Sequence, residues 1–166
     1  MNKYIILSVI ILIFNCCNFE NPSRFSQDAY DDILYSVSDE KETFKDIIDQ
    51  YKGRKVLIDL WASWCADCIK GLPKIKNLQI EYPEVIFLFI SVDKNRSSWK
   101  KGIARFKING EHYNLPKGMS NGSFVNFVNL NWIPRYIVVD ESGDISMFKA
   151  TNALDKNIVK ALKKVK

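Results

Sequence analysis

The chain has 166 residues, of which 47% are hydrophobic and 26% charged. That ordinary globular usage excludes wholesale disorder and leaves room for one domain with a short appendage. A formal charge of +5 is too weak and too dispersed to indicate a nucleic-acid partner, and four Cys with one His are too few for multi-zinc modules or a disulfide-dense scaffold. The cysteines fall in two pairs, Cys16-Cys17 and Cys65/Cys68.

Residues 1–15 read as a signal peptide: Lys3 is the only charge ahead of Tyr4–Phe14, a run that is apolar except for Ser8. A spanning helix needs about 20 apolar residues, so this run is too short to cross a membrane. Leu12, Ile13 and Cys16 resemble the lipobox of bacterial lipoproteins, in which the Cys receives lipid and becomes the new N-terminus. Phe14 and Asn15 depart from it, because small residues usually precede the Cys. The resemblance implies lipidation at Cys16; simple cleavage or an uncleaved anchor are the alternatives, and each takes the chain out of the cytosol. Cys17 has no evident role. Residues 16–26, polar and aperiodic with Pro22, read as a tether, and 27–166 as a single domain.

Within that domain Ala29, Ile33, Leu34 and Val37 suggest a short amphipathic helix. Phe44, Ile47, Ile48 and Tyr51 predict a second one, ended by Gly53. Val56–Trp61 is apolar save for Asp59 and has the length of a buried strand. A helix from Cys65 to Tyr82 places Ile69, Leu72, Ile75 and Leu78 on one face, with Pro73 inside it. Val85–Val92 is the most strand-like segment. A helix capped by Ser97 carries Trp99, Ile103 and Phe106. Residues 107–121 read as a loop with His112 as a surface histidine, and Ser123 caps a short helix to Leu130. Strands Tyr136–Asp140 and Ile145–Phe148 flank the turn at 141–144. Leu154, Ile158, Ala161, Leu162 and Val165 close the chain in helical register, with lysines on the solvated face. Crossover helices between strands, then a hairpin and a last helix, predict an α/β fold with a central sheet flanked by helices.

The chemistry concentrates at Trp64-Cys65-Ala66-Asp67-Cys68. A Cys opening a helix is exposed to unpaired N–H groups and the helix dipole, which stabilise a thiolate. Cys65 is therefore the nucleophile, and Cys68, one turn along, the resolving thiol that closes a redox-active disulfide. Half of a zinc site is the competing reading, but zinc wants four ligands and only His112 and the Cys16-Cys17 pair remain; no metal is expected. An inert staple is disfavoured because so short a bridge removes little unfolded-chain entropy.

Residues Val56–Cys68, with Pro73 beyond, resemble the active-site strand and helix of thioredoxins. Trp132-Ile133-Pro134-Arg135-Tyr136-Ile137-Val138-Val139-Asp140, followed by Gly143, matches the stretch where that superfamily carries its cis-proline. The export segment and long second half are similar to the envelope-attached TlpA-like thiol–disulfide oxidoreductases, and the resemblance covers roughly 43–150. It implies a thioredoxin-like fold with a central mixed β-sheet and the CxxC at the N-terminus of the active-site helix. Asp59 then matches a buried acid beneath the second Cys, whose raised pKa suits it to take the proton of Cys68; a solvated Asp at an edge position is the alternative. Pro134 matches the cis-Pro, leaving the Ile133 backbone free to pair with an extended substrate, while Trp61 and Trp64 shape the rim, unless one of them is plain core. Gly71 stands where many TlpA-like proteins carry a Glu, and Ala66-Asp67 where Gly-Pro is common. Asp67 either opposes the thiolate, favouring reducing power, or simply suits the helix dipole.

The activity implied is a protein-disulfide reductase, lipid-anchored in the bacterial envelope and facing the periplasm. It would be monomeric and without a cofactor, acting on protein disulfide substrates and supplied by a membrane electron-donor thiol protein. Within the same fold the alternatives are a DsbA-like thiol oxidase and a copper-handling protein of the SCO type, although the latter spaces its Cys by three. A binding module with an idle dithiol is a third.

Overall fold

The structure, a computed structural model, describes residues 21–163; the signal peptide, Cys16, Cys17 and Lys164–Lys166 lie outside the described residues. After a one-turn helix α1 (Gln27–Tyr30) come two short strands, β1 (Ile33–Ser36) and β2 (Lys41–Thr43), and α2 (Phe44–Asp49). Then follow β3 (Val56–Trp61), α3 (Ala66–Glu81), β4 (Ile86–Ser91), α4 (Arg96–Phe106) and β5 (Glu111–Asn114). The chain ends with α5 (Ser123–Phe127), β6 (Arg135–Val139), β7 (Ile145–Ala150) and α6 (Lys156–Lys163). The strands form one mixed sheet in the order β2-β1-β5-β4-β3-β6-β7. β4 runs parallel to β3 and to β5, and the other neighbours are antiparallel.

All six residues of β3 are buried, as expected of a strand covered on both faces, whose sequence is a nearly unbroken apolar run. The steps β3 to β4 and β4 to β5 go the same way, so right-handed crossovers put α3 and α4 on one face. Contacts agree: the Tyr136 hydroxyl reaches Gly71 of α3, and the Trp61 indole reaches Gly102 of α4. A Cβ at Gly102 would stand 2.8 Å from Ser63 Cβ, so α4 approaches the end of β3 this closely only without a side chain there. On the other face α1 packs against α2 and α5. Phe44 of α2 and Phe124 of α5 meet there with Phe25, which precedes α1, the Phe44 and Phe124 centroids 4.5 Å apart; truncating either of these two to Ala should cost about 3–5 kcal/mol.

Several elements differ from their sequence expectation. The segment 29–37 is not one helix: α1 stops after a turn capped by Ser26. The chain then extends as β1, where Leu34 is buried and Ile33 exposed, and Val37 in the turn beyond it is exposed too. Pairing on both sides, with β2 and β5, outweighs a helix-like spacing of four residues. β2 itself, Lys41-Glu42-Thr43, has the polar character of an edge strand. Residues 107–121 contain β5, which takes its stability from β1 and β4 rather than from β-branched content of its own.

The caps move as well. Asn95, not Ser97, caps α4, its side chain accepting from Ser98 N. At α5 the donor Phe124 N is satisfied by Asp32 Oδ2 at 3.0 Å, a partner remote in sequence, rather than by Ser123. Leu154 lies ahead of α6 and is exposed. Residues 23–26, read as tether, belong to the fold. Ile145 N donates to Ser23 O at 2.7 Å, Arg24 Nε pairs with Asp144 at 2.8 Å, and Phe25 is buried.

Candidate active site

Cys65 and Cys68 sit where β3 hands the chain to α3, joined in a disulfide with Cα atoms 5.3 Å apart. Cys65 is the N-cap of α3, and Cys68 N–H donates to its Sγ at 3.1 Å. That donor and the helix N-terminus both favour negative charge on Cys65 when the pair is reduced. Cys68 lies within the first turn and is the more deeply buried, 2% exposed against 6%. Across from them the Ile133–Pro134 peptide is cis, and the Ile133 carbonyl oxygen lies 3.7 Å from Cys65 Sγ. Trp64 is exposed and Trp61 fully buried, so Trp64 belongs to the rim and Trp61 to the core. Trp132, also exposed, flanks the site from the cis-Pro side. A groove of about 620 Å³ runs from Trp132 and Pro134 along Lys70 and Pro73 of α3 to Leu154.

The loop leading into Cys65 is held from β4. Asp93 accepts from Ser63 N and Ser63 Oγ, each at 2.8 Å, and from Ser91 Oγ at 2.8 Å. Asn114 Nδ2 completes the lattice by donating to the Ser91 and Asp93 carbonyls. The cis-Pro loop has its own brace: the buried Arg135 guanidinium donates to Val128 O at 2.8 Å and to Asn131 Oδ1 at 3.3 Å.

Asp59 is 2% exposed, which excludes the solvated position. Its carboxyl is pushed up to about 8 by burial alone, and Oδ1 has no hydrogen-bond partner. Its register partner is Tyr136 on β6. Because register partners share a face and Tyr136 reaches α3 at Gly71, Asp59 also faces the helix that carries Cys68 on its buried side. Asp67 points outward, 3.3 Å from Lys70. His112 is not a surface loop residue. It lies on β5, stacked on Phe89, with Nε2 3.0 Å from Ile108 O, so that nitrogen is not available to a metal beside the cysteines. Among the described residues no group of three or more His, Cys, Asp or Glu is arranged to hold a metal ion.

A family model described as thioredoxin-like matches residues 53–145. The chain belongs to the thioredoxin-like family. This is a family of thiol–disulfide oxidoreductases, and the chain carries a CxxC pair at Cys65 and Cys68. Among sequence relatives, the thioredoxin-like protein YneN of Bacillus subtilis is 30% identical over 121 residues, 72% of this chain and 67% of that protein. Sporulation thiol-disulfide oxidoreductase A of the same organism is 24% identical over 106 residues, 63% of this chain and 64% of that protein. The solution structure of a Bacteroides vulgatus protein assigned as a thiol-disulfide oxidoreductase superposes with a TM-score of 0.64 at 25% identity, covering 78% of this chain and 82% of that one.

Asp93, Arg135, Tyr136 and Trp132 are not singled out as site residues by the sequence. Asp93 carries a usable signal, since it follows the C-terminal end of a strand parallel to β3, where sites on such sheets gather. Trp132 carries another by adjoining Ile133-Pro134. Nothing local marks Tyr136 or Arg135, whose neighbours come from α3 and from the loop after α5.

Proposed function

We propose that the protein reduces disulfides of envelope proteins through Cys65 and Cys68. The observation that carries this is the placement of Cys65 at the N-cap of α3, 3.7 Å from the Ile133 carbonyl beside a cis proline. The Cys65 thiolate attacks one sulfur of the substrate disulfide; that S–S bond breaks, and the other substrate sulfur leaves as a thiolate. The substrate's extended segment pairs with the Ile133 backbone, between the rims formed by Trp64 and Trp132, and its flanking residues enter the groove along α3. Cys68 then gives its proton to Asp59, and its thiolate attacks Cys65 Sγ. The Cys65–Cys68 bond forms, the mixed disulfide breaks, and the second substrate sulfur departs with the electron pair and takes up a proton. Two electrons have moved from protein to substrate, to be restored by a membrane thiol donor. With the carboxyl titrating near 8, it is the ionised fraction present at neutral pH and above that accepts this proton.

The reducing direction is supported by the TlpA-like character of the chain and by Asp67 between the two thiols, whose charge opposes a thiolate. Attachment through Cys16 is supported by the lipobox resemblance. Residues 23–24 join the sheet at the Val139/Ile145 end of β6 and β7, opposite the Arg135 end that adjoins the cysteines. The two ends are about 17 Å apart along β3.

Insulin reduction by the wild type and by Cys65→Ser tests the nucleophile: equal rates overturn it, and a loss of about a thousandfold or more is expected. Equilibration with glutathione tests the direction. A reductase stays mostly disulfide-bonded at strongly reducing ratios, whereas a mostly dithiol protein is an oxidase of the DsbA kind. Copper retained stoichiometrically through purification and lost on His112→Ala would overturn the reading in favour of copper handling.

A further inference from the structure

The Asp59 carboxyl, which takes the Cys68 proton in the proposed exchange, has a buried polar register partner to which no part is yet assigned. Asp59 Oδ1 and the Tyr136 hydroxyl are both buried without a hydrogen-bond partner, and they belong to register partners on β3 and β6. Register partners present their side chains on one face, with Cβ atoms about 5 Å apart. The Tyr136 ring runs from there toward α3. A Cβ built at Gly71 would lie 2.9 Å from the hydroxyl oxygen and 3.3 Å from Ala153 Cβ. The phenol therefore ends under α3, one helical turn beyond Cys68, and residue 71 admits it only by having no side chain. Phenylalanine would fill the same core without burying an unpaired hydroxyl, which is costly wherever it serves nothing.

We propose that Tyr136 is a positioning residue for Asp59, its hydroxyl donating to the carboxylate across one water molecule and so stabilising the ionised form. Gly71 belongs to the same device, since it holds open the space for the hydroxyl. The inference rests on Asp59 as proton acceptor for Cys68. Tyr136 itself gains and loses no proton. It keeps more of Asp59 in the carboxylate form at a given pH, against burial that pushes the group the other way. The titratable groups that neighbouring elements bring to this face are Cys68 on α3 and Tyr136 on β6. β4 sets Phe89 opposite Asp59, the stretch after β7 brings Ala153, and Lys70 and Lys74 of α3 line the outer groove. Asp93 is engaged by Ser63 and Ser91.

The test is the titration of the Asp59 carboxyl in the full-length oxidised protein, followed by carbon-13 NMR on aspartate-labelled samples. Tyr136→Phe, which removes one atom, should raise the Asp59 midpoint by about one pH unit or more. Gly71→Ala should raise it too, by displacing the hydroxyl, and should add nothing further in the Tyr136→Phe background. An unchanged midpoint in Tyr136→Phe overturns the proposal, and so does a Gly71→Ala shift that persists in full without the hydroxyl. Should Gly71→Ala fail to fold, Tyr136→Phe decides alone. The underlying reading is judged separately, by the pH profile of insulin reduction. If Asp59→Asn leaves that profile unaltered, Asp59 is not the acceptor, whatever the NMR midpoints do.

Discussion

Two carboxylates lie buried in the strands and loops that lead to the Cys65–Cys68 disulfide, and they are solvated by the protein in opposite ways. Asp93, at the end of β4, accepts three hydrogen bonds from Ser63 and Ser91. Asp59, in the middle of β3, leaves Oδ1 without a donor, and its carboxyl rises to about 8. Burial is nearly equal, 1% and 2% exposed, so depth does not separate them. The number of donors does. A buried carboxylate met by several donors is fixed in geometry by them; one left without a donor and raised by burial is free to change its protonation state. The first holds the loop that presents Cys65, and the second is suited to the proton of Cys68.

The comparison is broken most severely at Asp93. Asp93→Ala strips the acceptor from Ser63 N, Ser63 Oγ and Ser91 Oγ at once, and should cost about 4 kcal/mol or more in urea unfolding at neutral pH. Ser63→Ala removes only the hydroxyl contact and should cost about 1 kcal/mol. If Asp93→Ala were as mild as Ser63→Ala, the lattice would be incidental and the contrast with Asp59 would fail.

At Asp59 the sign reverses. The folded carboxyl lies far above its unfolded value of 3.8, so between about pH 4 and 8 the native state holds a proton that the unfolded state has released. Stability therefore falls as pH rises through that window. Asp59→Asn cannot ionise and should be more stable than the wild type by roughly 2–3 kcal/mol at pH 9, after discounting its own unpaired amide. The gain should shrink toward zero near pH 4, and denaturation of the oxidised protein from pH 4 to 9 reads it directly. The same variant should slow turnover about tenfold or more at neutral pH while sparing the first attack by Cys65. A variant that lost stability at every pH would show that Asp59 is as well satisfied as Asp93.

How far this contrast can be read from the residues depends on where each partner comes from. β3, α3 and the CxxC are continuous in sequence, with an apolar strand running into a helix whose N-cap is Cys65 itself, and they are legible as such. Asp59 stands out because a charge interrupts that strand. Pro134 is legible through the Ile-Pro that precedes a strand, although its cis state is an expectation of resemblance rather than of spacing. Asp93 and Tyr136 acquire meaning only through tertiary neighbours, Ser63 from one strand away and Gly71 from the helix above. β1 and β5 are obscured for the same reason: each is a short strand defined by its pairing, and Glu111-His112-Tyr113-Asn114 carries little propensity of its own. The exposed cap at Asn95 is local, but two residues of equal capping chemistry compete for it.

Asp67 supplies the third member of the series and the smallest effect. It lies nearest the sulfurs in sequence, yet its side chain is about half exposed and paired with Lys70 at 3.3 Å. Water and the lysine screen its charge, as they do for surface ion pairs in general. Asp67→Asn should therefore change the thiol–disulfide equilibrium with glutathione by less than about threefold, in the direction of a less reducing couple. Raising the salt concentration should erase most of that difference, because a screened charge is weakened further by ions while a buried one is not. A shift of tenfold or more, insensitive to salt, would place the Asp67 charge in the low-dielectric surroundings of the disulfide. In that case proximity along the chain, rather than the number of donors and the access of water, would govern what an acid does at this site.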